Sequence, residues 1–285
     1  MPELPEVETI KNTLAPKMVG AVIKSVLVKQ RKFREAIPEN FESIATNRKI
    51  ISLKRFAKYL LINLDNDYTL IWHFGMSGKF KIESSLPENF EKHDHIIIET
   101  DKAVFIYNDT RRFGLVSYSE SKKINEHYLF KKLGLDPWDK NLTAEYLLNK
   151  LQNKNVPIKI SLLNQEIING IGNIYASEIL YKARIHPQKE SSNITIDEAN
   201  RIIKFTKEIL EQAIEAGGST IHDYKKPDGD IGYFQHNHCV YNRTGQRCPD
   251  CNCNIAITGG IQKIVQGGRS TFYCEQLQKN GDNND

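Results

Sequence analysis

The sequence contains no apolar run close to the ~18 residues that a helix needs to cross a bilayer. Its first residues lack the basic and then apolar layout of a signal peptide, and internal repeats and low-complexity tracts are also missing. With 40% hydrophobic and 26% charged residues, these absences argue against membrane, collagen-like and disordered chains. They predict a soluble, intracellular globular protein.

The chain also has little net charge. A formal value of +4 is too small to demonstrate a polyanionic partner. The charge is unevenly distributed, however, because residues 22–59 contain ten Lys or Arg and only three acidic residues. Such a segment suits a phosphate backbone, although a solvated basic face of a sheet explains the charge equally well.

Cysteine is missing from the first 238 residues, and all five cysteines follow within the last 47. They are Cys239, Cys248, Cys251, Cys253 and Cys274. An odd number of cysteines without a secretory signal disfavours a disulfide framework. A metal site is therefore the first prediction for this part of the chain.

Between residues 21 and 118, short apolar and β-branched runs alternate with turn residues, which is typical of an antiparallel β-sandwich. The predicted strands are 21–30, 48–56, 58–64, 68–74, 94–100 and 102–108. Ahead of them, residues 6–14 predict a short helix with Pro5 at its first position and acidic residues in its first turn.

After about residue 121 the apolar spacing becomes helical. The predicted helices are 124–134, 143–152, 157–164, 173–183 and 196–216. Strands followed by helices in 285 residues predict an α+β protein with two domains. Residues 240–273 predict a small hairpin that carries cysteines.

The first three residues include groups that could take part in catalysis. Removal of Met1 would leave Pro2 with a secondary amine, and N-terminal amines titrate near ~7.7–8.0, far below lysine. The adjacent helix N-terminus would lower this pKa further. Such an amine can attack a sugar carbon to form an iminium, with Glu3 as a proton carrier. Taken alone, Met-Pro-Glu is more often an ordinary processed start.

Ten collinear motifs that span residues 2–274 resemble formamidopyrimidine-DNA glycosylase, a bacterial family that excises oxidised purines from DNA. The motifs are PELPEVET at 2–9, AKYL at 57–60, HFGMSG at 73–78, KHDH at 92–95, DTRRFG at 109–114, NGIGNIYASE at 169–178, GGST at 217–220, DGDIGYF at 228–234, VYNRTGQRCPDC at 240–251 and GGRSTFYC at 267–274. The opening motif and the cysteine hairpin are the most specific. The related endonuclease VIII group typically has Gly where this chain has Leu4.

The resemblance implies a multidomain α+β fold. Its expected parts are an N-terminal catalytic antiparallel β-sandwich with a flanking helix (1–120), a linker (121–130), a helical helix-two-turn-helix domain that binds DNA (131–235), a zinc-finger-like β-hairpin (236–279) and a flexible tail (280–285). Residues 217–234 match the loop that closes over an extruded base.

The resemblance also implies catalytic roles. Pro2 matches the nucleophile that forms the Schiff base, and Glu3 matches the acid/base that assists sugar opening. Lys58 matches a lysine between phosphate and sugar that acts in β-elimination, and Glu6 supports the active site. Arg269 matches the hairpin arginine that contacts the phosphates of the lesion.

DNA contacts are implied in two groups. Met76, Arg111 and Phe113 match side chains that fill the hole left by an extruded base. The remaining implied DNA-binding residues are His73, His93, Arg112, Lys154 and Asn173. For Asn173 the residues themselves add support, because a helix that opens after Gly170-Ile171-Gly172 presents backbone N–H groups to a phosphate.

The metal site is implied to hold one zinc through Cys248, Cys251 and Cys274, but the fourth family cysteine is Leu277 here. About six additional residues lie near 255–260. The alternatives for a fourth ligand are Cys253, Cys239, His236 and His238. Cys253 is expected to be cramped for the same ion, so that another group must move in or the site binds zinc weakly. A hairpin that folds without metal is a further alternative.

The implied activity is that of a bifunctional DNA glycosylase/AP lyase of base excision repair. It would release 8-oxoguanine and formamidopyrimidines from damaged double-stranded DNA and cut the strand by β,δ-elimination. The same resemblance implies a cytoplasmic, nucleoid-associated monomer without a membrane partner. Two alternatives are an enzyme for oxidised pyrimidines and a DNA-binding protein that has lost catalysis; intact Pro2, Glu3 and Lys58 argue against the second.

Overall fold

The computed structural model describes residues 1–219 and 232–279, which form two compact units. Within these ranges, the first unit comprises Met1–Lys132 with Ile214–Gln235, and the second comprises Leu133–Ala213 with His236–Asp285. By their contacts, residues 214–219 and 232–235 group with the first unit. The predicted domain limits stay a prediction, and the predicted tail 280–285 lies outside the described residues.

The first helix, α1 (Leu4–Met18), begins two residues earlier and ends four residues later than predicted. A reciprocal pair of hydrogen bonds fixes its start. The backbone N–H of Glu3 donates to Glu6 Oε2 at 2.8 Å, and the Glu3 side chain accepts from the backbone N–H of Glu6. Pro5 lies in the first turn, where its missing N–H removes no helical bond.

The elements that follow are β1 (Ile23–Val28), α2 (Phe41–Ala45), β2 (Ile50–Phe56), β3 (Tyr59–Leu64), β4 (Tyr68–His73), β5 (Lys79–Glu83), β6 (Asp94–Thr100), β7 (Val104–Asn108) and β8 (Leu115–Glu120). The strands form two antiparallel four-stranded sheets, with strand orders β1-β6-β7-β5 and β2-β3-β4-β8. The predicted sandwich is confirmed. The sequence analysis did not include β5 and β8.

One apolar cluster unites α1 with both sheets. Its centre is aromatic: the rings of Trp72, Phe80 and Tyr107 lie 5.5–6.3 Å apart at tilted or edge-on angles. All three side chains are buried. This core holds the ends of β4 and β7, from which the loops of the candidate site emerge.

The helix predicted over 124–134 is wrong. The structure has a 3₁₀ helix at Ser121–Glu126, followed by turns. Phe130 is buried there, and its ring lies 5.0 Å from the rings of both Phe56 and Tyr59. Packing of this ring, rather than a continuous helical face, determines the path of the segment.

The second unit contains the remaining predicted helices. They are α3 (Ala144–Leu151), α4 (Ile158–Leu163), α5 (Asn173–Ala183) and α6 (Ile196–Glu215), whose last two residues belong to the first unit. No helix among residues 1–219 and 232–279 is both long enough and apolar enough to span a membrane.

The predicted hairpin consists of β9 (Gln262–Gln266) and β10 (Arg269–Tyr273). The additional residues before it form a short helix, α7 (Ile255–Thr258). The start of the cysteine segment is held by the buried carboxylate of Glu178, which accepts the N–H groups of residues 239, 240 and 241 at 2.8–3.0 Å. Burial raises the pKa of Glu178, and these three hydrogen bonds oppose the rise.

Candidate functional site

The N-terminus borders an open cavity of ≈ 360 Å³ in the first unit. The lining residues are Met1, Arg34, His73, Gly75, Met76 and Phe113. Met1 is 44% exposed, whereas Pro2 and Glu3 are buried behind it. Removal of Met1 would therefore place the amine of Pro2 at this cavity.

Positive charges lie near the cavity. Burial and, after it, the positive charges of Lys58, Arg34 and the N-terminal amine together lower the pKa of His73 to about 4. Lys58 is only 7% exposed and follows Ala57, whose positive φ of 53° turns the chain between β2 and β3. The ammonium group of Lys58 and the N-terminal amine thus act on the same imidazole.

The neutral ring of His73 also has a structural role. Its Nδ1 accepts the backbone N–H of Gly75 at 3.1 Å, which fixes the turn that leads to Met76. Gly75 has a positive φ of 58°, and a Cβ there would lie 2.3 Å from the backbone carbon of Phe113. The two loops that follow β4 and β7 therefore touch backbone to backbone.

The loop after β7 is organised by Asp109, which is fully buried. Its Oδ1 accepts the Ser77 hydroxyl at 2.5 Å and the backbone N–H of Arg111 at 3.2 Å. Its Oδ2 accepts the N–H of Gly114 at 2.9 Å. One carboxylate thus joins both loops.

The three side chains predicted to form a wedge are exposed on these loops. Met76 is 42% and Phe113 47% exposed. The guanidinium of Arg111 lies 4.7 Å from the centre of the Phe113 ring, a cation–π contact. The structure therefore brings Met76, Arg111 and Phe113 together at the cavity side of the sandwich.

Two other predicted DNA-binding residues lie near this loop. Arg112 is exposed and adopts a positive φ of 55°. His93 is half-buried, and its carbonyl accepts the N–H of Asp109 at 3.1 Å. The neighbouring His95 is buried, and its Nε2 lies 3.0 Å from the Asp109 carbonyl oxygen.

Glu6 connects the N-terminus to a distant part of the chain within the first unit. Its Oε2 accepts the N–H of Glu3, and its Oε1 accepts the N–H of Ser219, each at 2.8 Å. Gly218, with a φ of 79°, packs on the same carboxylate, because a Cβ there would lie 3.0 Å from Oε1. Most of the predicted base-covering loop, residues 220–231, lies outside the described residues.

In the second unit, Asn173 begins α5 and is half-buried. Its Oδ1 accepts from Lys159 Nζ at 2.7 Å, and its Nδ2 donates to the Ser270 carbonyl at 2.9 Å. Lys159 has no exposed surface and also donates to the Thr271 hydroxyl at 2.7 Å. This arrangement fixes the base of β10, whose first residue, Arg269, is exposed.

Lys154, the other predicted DNA-binding residue of this unit, is half-buried in the loop that follows α3. Its backbone N–H donates to the Leu151 carbonyl at 2.9 Å, and its carbonyl accepts from Ser192 at 3.2 Å. Its backbone is therefore fixed at this position.

Three of the five cysteines converge. The Sγ atoms of Cys248, Cys251 and Cys274 all lie within 4.8 Å of one another. Burial and, after it, hydrogen bonds with neighbouring thiols together raise the pKa of Cys251 to about 12. This donor set fits a metal ion that prefers thiolates, such as zinc.

The candidates for a fourth ligand differ in the residues that they contact. Cys253 Sγ is 3.0 Å from Cys251 Sγ, whereas the sulfur of Cys239 contacts the Asn237 carbonyl at 3.9 Å. Burial raises the pKa of Cys239 to about 11. His238 is buried, with its ring 5.7 Å from that of Tyr241.

Comparisons with known proteins agree with this architecture. Residues 1–116 match a model of the formamidopyrimidine-DNA glycosylase N-terminal domain, and residues 133–225 match the H2TH domain of the same family. The chain belongs to the formamidopyrimidine-DNA glycosylase family. The resemblance inferred from the sequence motifs is thereby confirmed.

Relatives match over nearly the full length. Formamidopyrimidine-DNA glycosylase of Rickettsia africae is 43% identical over 98% of this chain and 99% of its own. The enzyme of Rhodospirillum rubrum is 40% identical over 98% and 100%. Two solved structures of Lactococcus lactis Fpg, one bound to DNA with Fapy-dG and one to DNA with an abasic site, are 32% identical with a TM-score of 0.89. Both cover 98% of this chain and 100% of their own.

Sequence reasoning missed two residues that organise this glycosylase fold, Asp109 and Lys159. Both are charged and fully buried. Asp109 opens the motif DTRRFG, which was the available signal for it, whereas Lys159 lies ten residues before NGIGNIYASE and had no such signal. The burial of a charged side chain is visible only in the structure.

Proposed function

We propose that the protein is a bifunctional DNA glycosylase/AP lyase of base excision repair. It releases oxidised purines, 8-oxoguanine and formamidopyrimidines, from damaged double-stranded DNA and cuts the strand by β,δ-elimination. One observation carries the proposal: an N-terminus in which Pro2 follows a removable Met1 lies at a cavity beside Lys58 and the exposed Met76 and Phe113.

The nucleophile is the secondary amine of Pro2 after removal of Met1. An N-terminal amine titrates far below lysine, so a useful fraction of it is neutral and nucleophilic at neutral pH. The nitrogen attacks C1′ of the damaged nucleotide, and the bond from C1′ to the base breaks. Glu3, buried beside Pro2, donates a proton to the ring oxygen as the sugar opens and the iminium forms.

The iminium then acts as an electron sink. It acidifies the C2′ proton, whose loss expels the 3′ phosphate in β-elimination. In a second elimination, at the δ position, loss of the C4′ proton expels the 5′ phosphate. The low exposure of Lys58 and its position between β2 and β3 suit a cation that neutralises the departing phosphate. A hydroxyl nucleophile could release the base but could not supply the iminium.

Recognition of the lesion requires that the base leave the stack. Met76, Arg111 and Phe113 fill the resulting hole: two apolar side chains replace stacking, and the guanidinium can hydrogen-bond to the unpaired partner base. The DNA-bound complexes of Lactococcus lactis Fpg support DNA as the partner. His93, Arg112, Lys154, Asn173 and Arg269 supply further contacts, chiefly to phosphates.

We also propose that Cys248, Cys251 and Cys274 hold one zinc ion. Its contribution is structural, because thiolate ligation ties β10 to the segment that contains Cys248 and Cys251. Arg269, at the first position of β10, depends on this order for its placement. No step of the chemistry passes through the metal.

The test is a cleavage assay with duplexes that carry one lesion each. We expect release of free 8-oxoguanine and strand ends with phosphate on both sides of the gap, both lost in Pro2→Gly. A duplex with an oxidised pyrimidine is the comparison, since one complex of Lactococcus lactis Fpg contains such DNA. Faster release of the oxidised pyrimidine than of 8-oxoguanine would show that oxidised pyrimidines are the preferred substrates. Binding of the duplex without cleavage would contradict the proposal.

A further inference from the structure

A further cysteine, Cys253, lies beside the three cysteines that match the metal-binding pattern of the family. Cys251 is the hub of this group, because its Sγ lies 3.0 Å from that of Cys253 and 3.8 Å from that of Cys274. Leu277 stands where the family pattern implies a fourth cysteine, and it packs against the hydrophobic cluster that includes Cys248 and Cys274. A carbon side chain cannot complete a tetrahedral zinc site.

We propose that Cys253 is the fourth ligand of the zinc ion held by Cys248, Cys251 and Cys274. The proposal rests on the zinc site of the proposed function and specifies its composition. The site then consists of a Cys-x₂-Cys-x-Cys segment and one cysteine that follows β10, with four thiolates around one ion.

The sulfur distances suit this assignment. Zinc–thiolate bonds of ~2.3 Å in a tetrahedron place sulfur atoms roughly 3.8 Å apart. Cys251 and Cys274 already have this separation. Cys253 is closer to Cys251 than a shared ion requires, so metal binding must widen this pair, and a change of the Cys253 χ1 rotamer is the smallest movement that can do so. The proposal replaces the expectation that Cys253 is too cramped for the same ion, and the zinc measurements below test it.

The local fold directs Cys253 toward the cluster. Asn254 caps the short helix α7, its Oδ1 accepting the N–H of Ala256 at 3.0 Å. The helix ends at Gly259, which has a positive φ of 71°. The additional residues of this chain thus form a compact turn directly after Cys253, which keeps that cysteine beside Cys251.

Cys239 and His238 are held in place by contacts of their own. The backbone N–H of Cys239 donates to Glu178 at 2.9 Å, and its sulfur contacts the Asn237 carbonyl. The backbone carbonyl of His238 accepts from Arg243 at 2.9 Å, while its ring packs on Tyr241. Neither side chain belongs to the group of three sulfurs that are all within 4.8 Å of one another. Cys253 also lies outside that group, but its Sγ is 3.0 Å from that of Cys251.

A four-thiolate zinc site carries two negative charges after four thiols lose their protons, and its surroundings can accommodate them. The hydroxyl of Tyr181 lies 3.2 Å from Cys248 Sγ and can donate to the thiolate. Lys182, on the same helix, forms an ion pair with Asp250 at 2.8 Å, between the two cysteines of the Cys-x₂-Cys segment.

The test uses the full-length protein, purified without added zinc. Bound zinc is counted by elemental analysis, and affinity is measured by competition with a chromophoric chelator. We expect one zinc per chain, a roughly 100-fold loss of affinity in Cys253→Ser, since one of four ligands is lost, and no change in the matched control Cys239→Ser. Leu277→Cys in the Cys253→Ser background restores a fourth thiolate at the family position and should recover the affinity.

A second measurement does not depend on how the variants fold. Cobalt substituted into the wild-type protein should give the absorption spectrum of four thiolates in a tetrahedron. A spectrum of three thiolates with one nitrogen or oxygen would overturn the assignment, as would unchanged zinc affinity in Cys253→Ser. Wild-type protein that binds no zinc at all would instead refute the zinc site of the proposed function.

Discussion

Asp109 Oδ1 accepts a hydrogen bond of 2.5 Å from the Ser77 hydroxyl, and this contact joins the two loops that present Met76 and Phe113. Because the Asp109 carboxylate is fully buried, its hydrogen bonds compete with no bulk water. The wedge proposed to replace an extruded base thus rests on a rigid polar connection rather than on the exposed side chains themselves.

Ser77→Ala tests this connection. Loss of the hydroxyl leaves Oδ1 of Asp109 with one partner fewer, which should cost about 1–2 kcal/mol of stability and loosen the loop of Met76. We expect excision from an intact lesion duplex to slow more than cleavage at a preformed abasic site. Ser85→Ala, at an exposed serine of the same unit, is the control and should alter neither rate.

Phe113→Ala separates base extrusion from chemistry. If the ring stabilises the extruded state, its loss should slow excision of 8-oxoguanine from duplex DNA more than strand cutting at an abasic site, where less unstacking is needed. Leu86, 48% exposed against 47% for Phe113, provides the matched control Leu86→Ala. Equal losses on both substrates would contradict this division of roles.

Glu3→Gln should depress base release and leave the dissociation constant for lesion duplex nearly unchanged. The substitution removes a proton carrier but retains an oxygen that can accept the N–H of Glu6 at the start of α1. Single-turnover release and equilibrium binding are measured on the same preparation. Glu88→Gln, at an exposed residue, is the control, and a parallel loss of binding in Glu3→Gln would refute a role confined to proton transfer.

The pH dependence of stability should report His73. Its pKa in the folded protein, about 4, is below the unfolded value near ~6.5, so the fold favours the neutral ring. This contribution is present above pH ~6.5 and is lost as the pH falls toward 4. When the pH falls from 7.5 to 5, the free energy of unfolding of the wild type should decrease by about 1–2 kcal/mol more than that of His73→Asn. Denaturant titrations at the two pH values measure this difference. Identical profiles would show that the ring titrates normally.

The sequence predicted the sandwich but missed two of its strands. In β5, Lys79, Lys81 and Glu83 alternate with apolar residues, and β8 ends in polar residues, so neither run is long enough to stand out. Both strands are nevertheless secured by pairing with β7 and β4. The motif residues Met76, Arg111 and Phe113, by contrast, were predicted as a group and are found together.

Features that depend on tertiary contacts escaped the sequence. Charged residues are expected at the surface, so the sequence did not predict that Asp109 and Lys159 are buried. Asp109 binds Ser77, 32 residues away, and Lys159 binds Thr271, 112 residues away. The cysteine spacing likewise left the fourth metal ligand open, and the 3.0 Å separation of Cys253 Sγ from Cys251 Sγ, which supports the ligand proposed above, is known only from the structure.

Covalent trapping tests the central claim, that Pro2 is the nucleophile. Mass spectrometry first establishes that Met1 has been removed from the purified protein. Incubation with an 8-oxoguanine duplex and borohydride should then yield a reduced protein–DNA adduct that maps to Pro2 and disappears in Pro2→Gly. An adduct that persists in Pro2→Gly and maps to a lysine, or no adduct under conditions in which the strand is cut, would contradict the account.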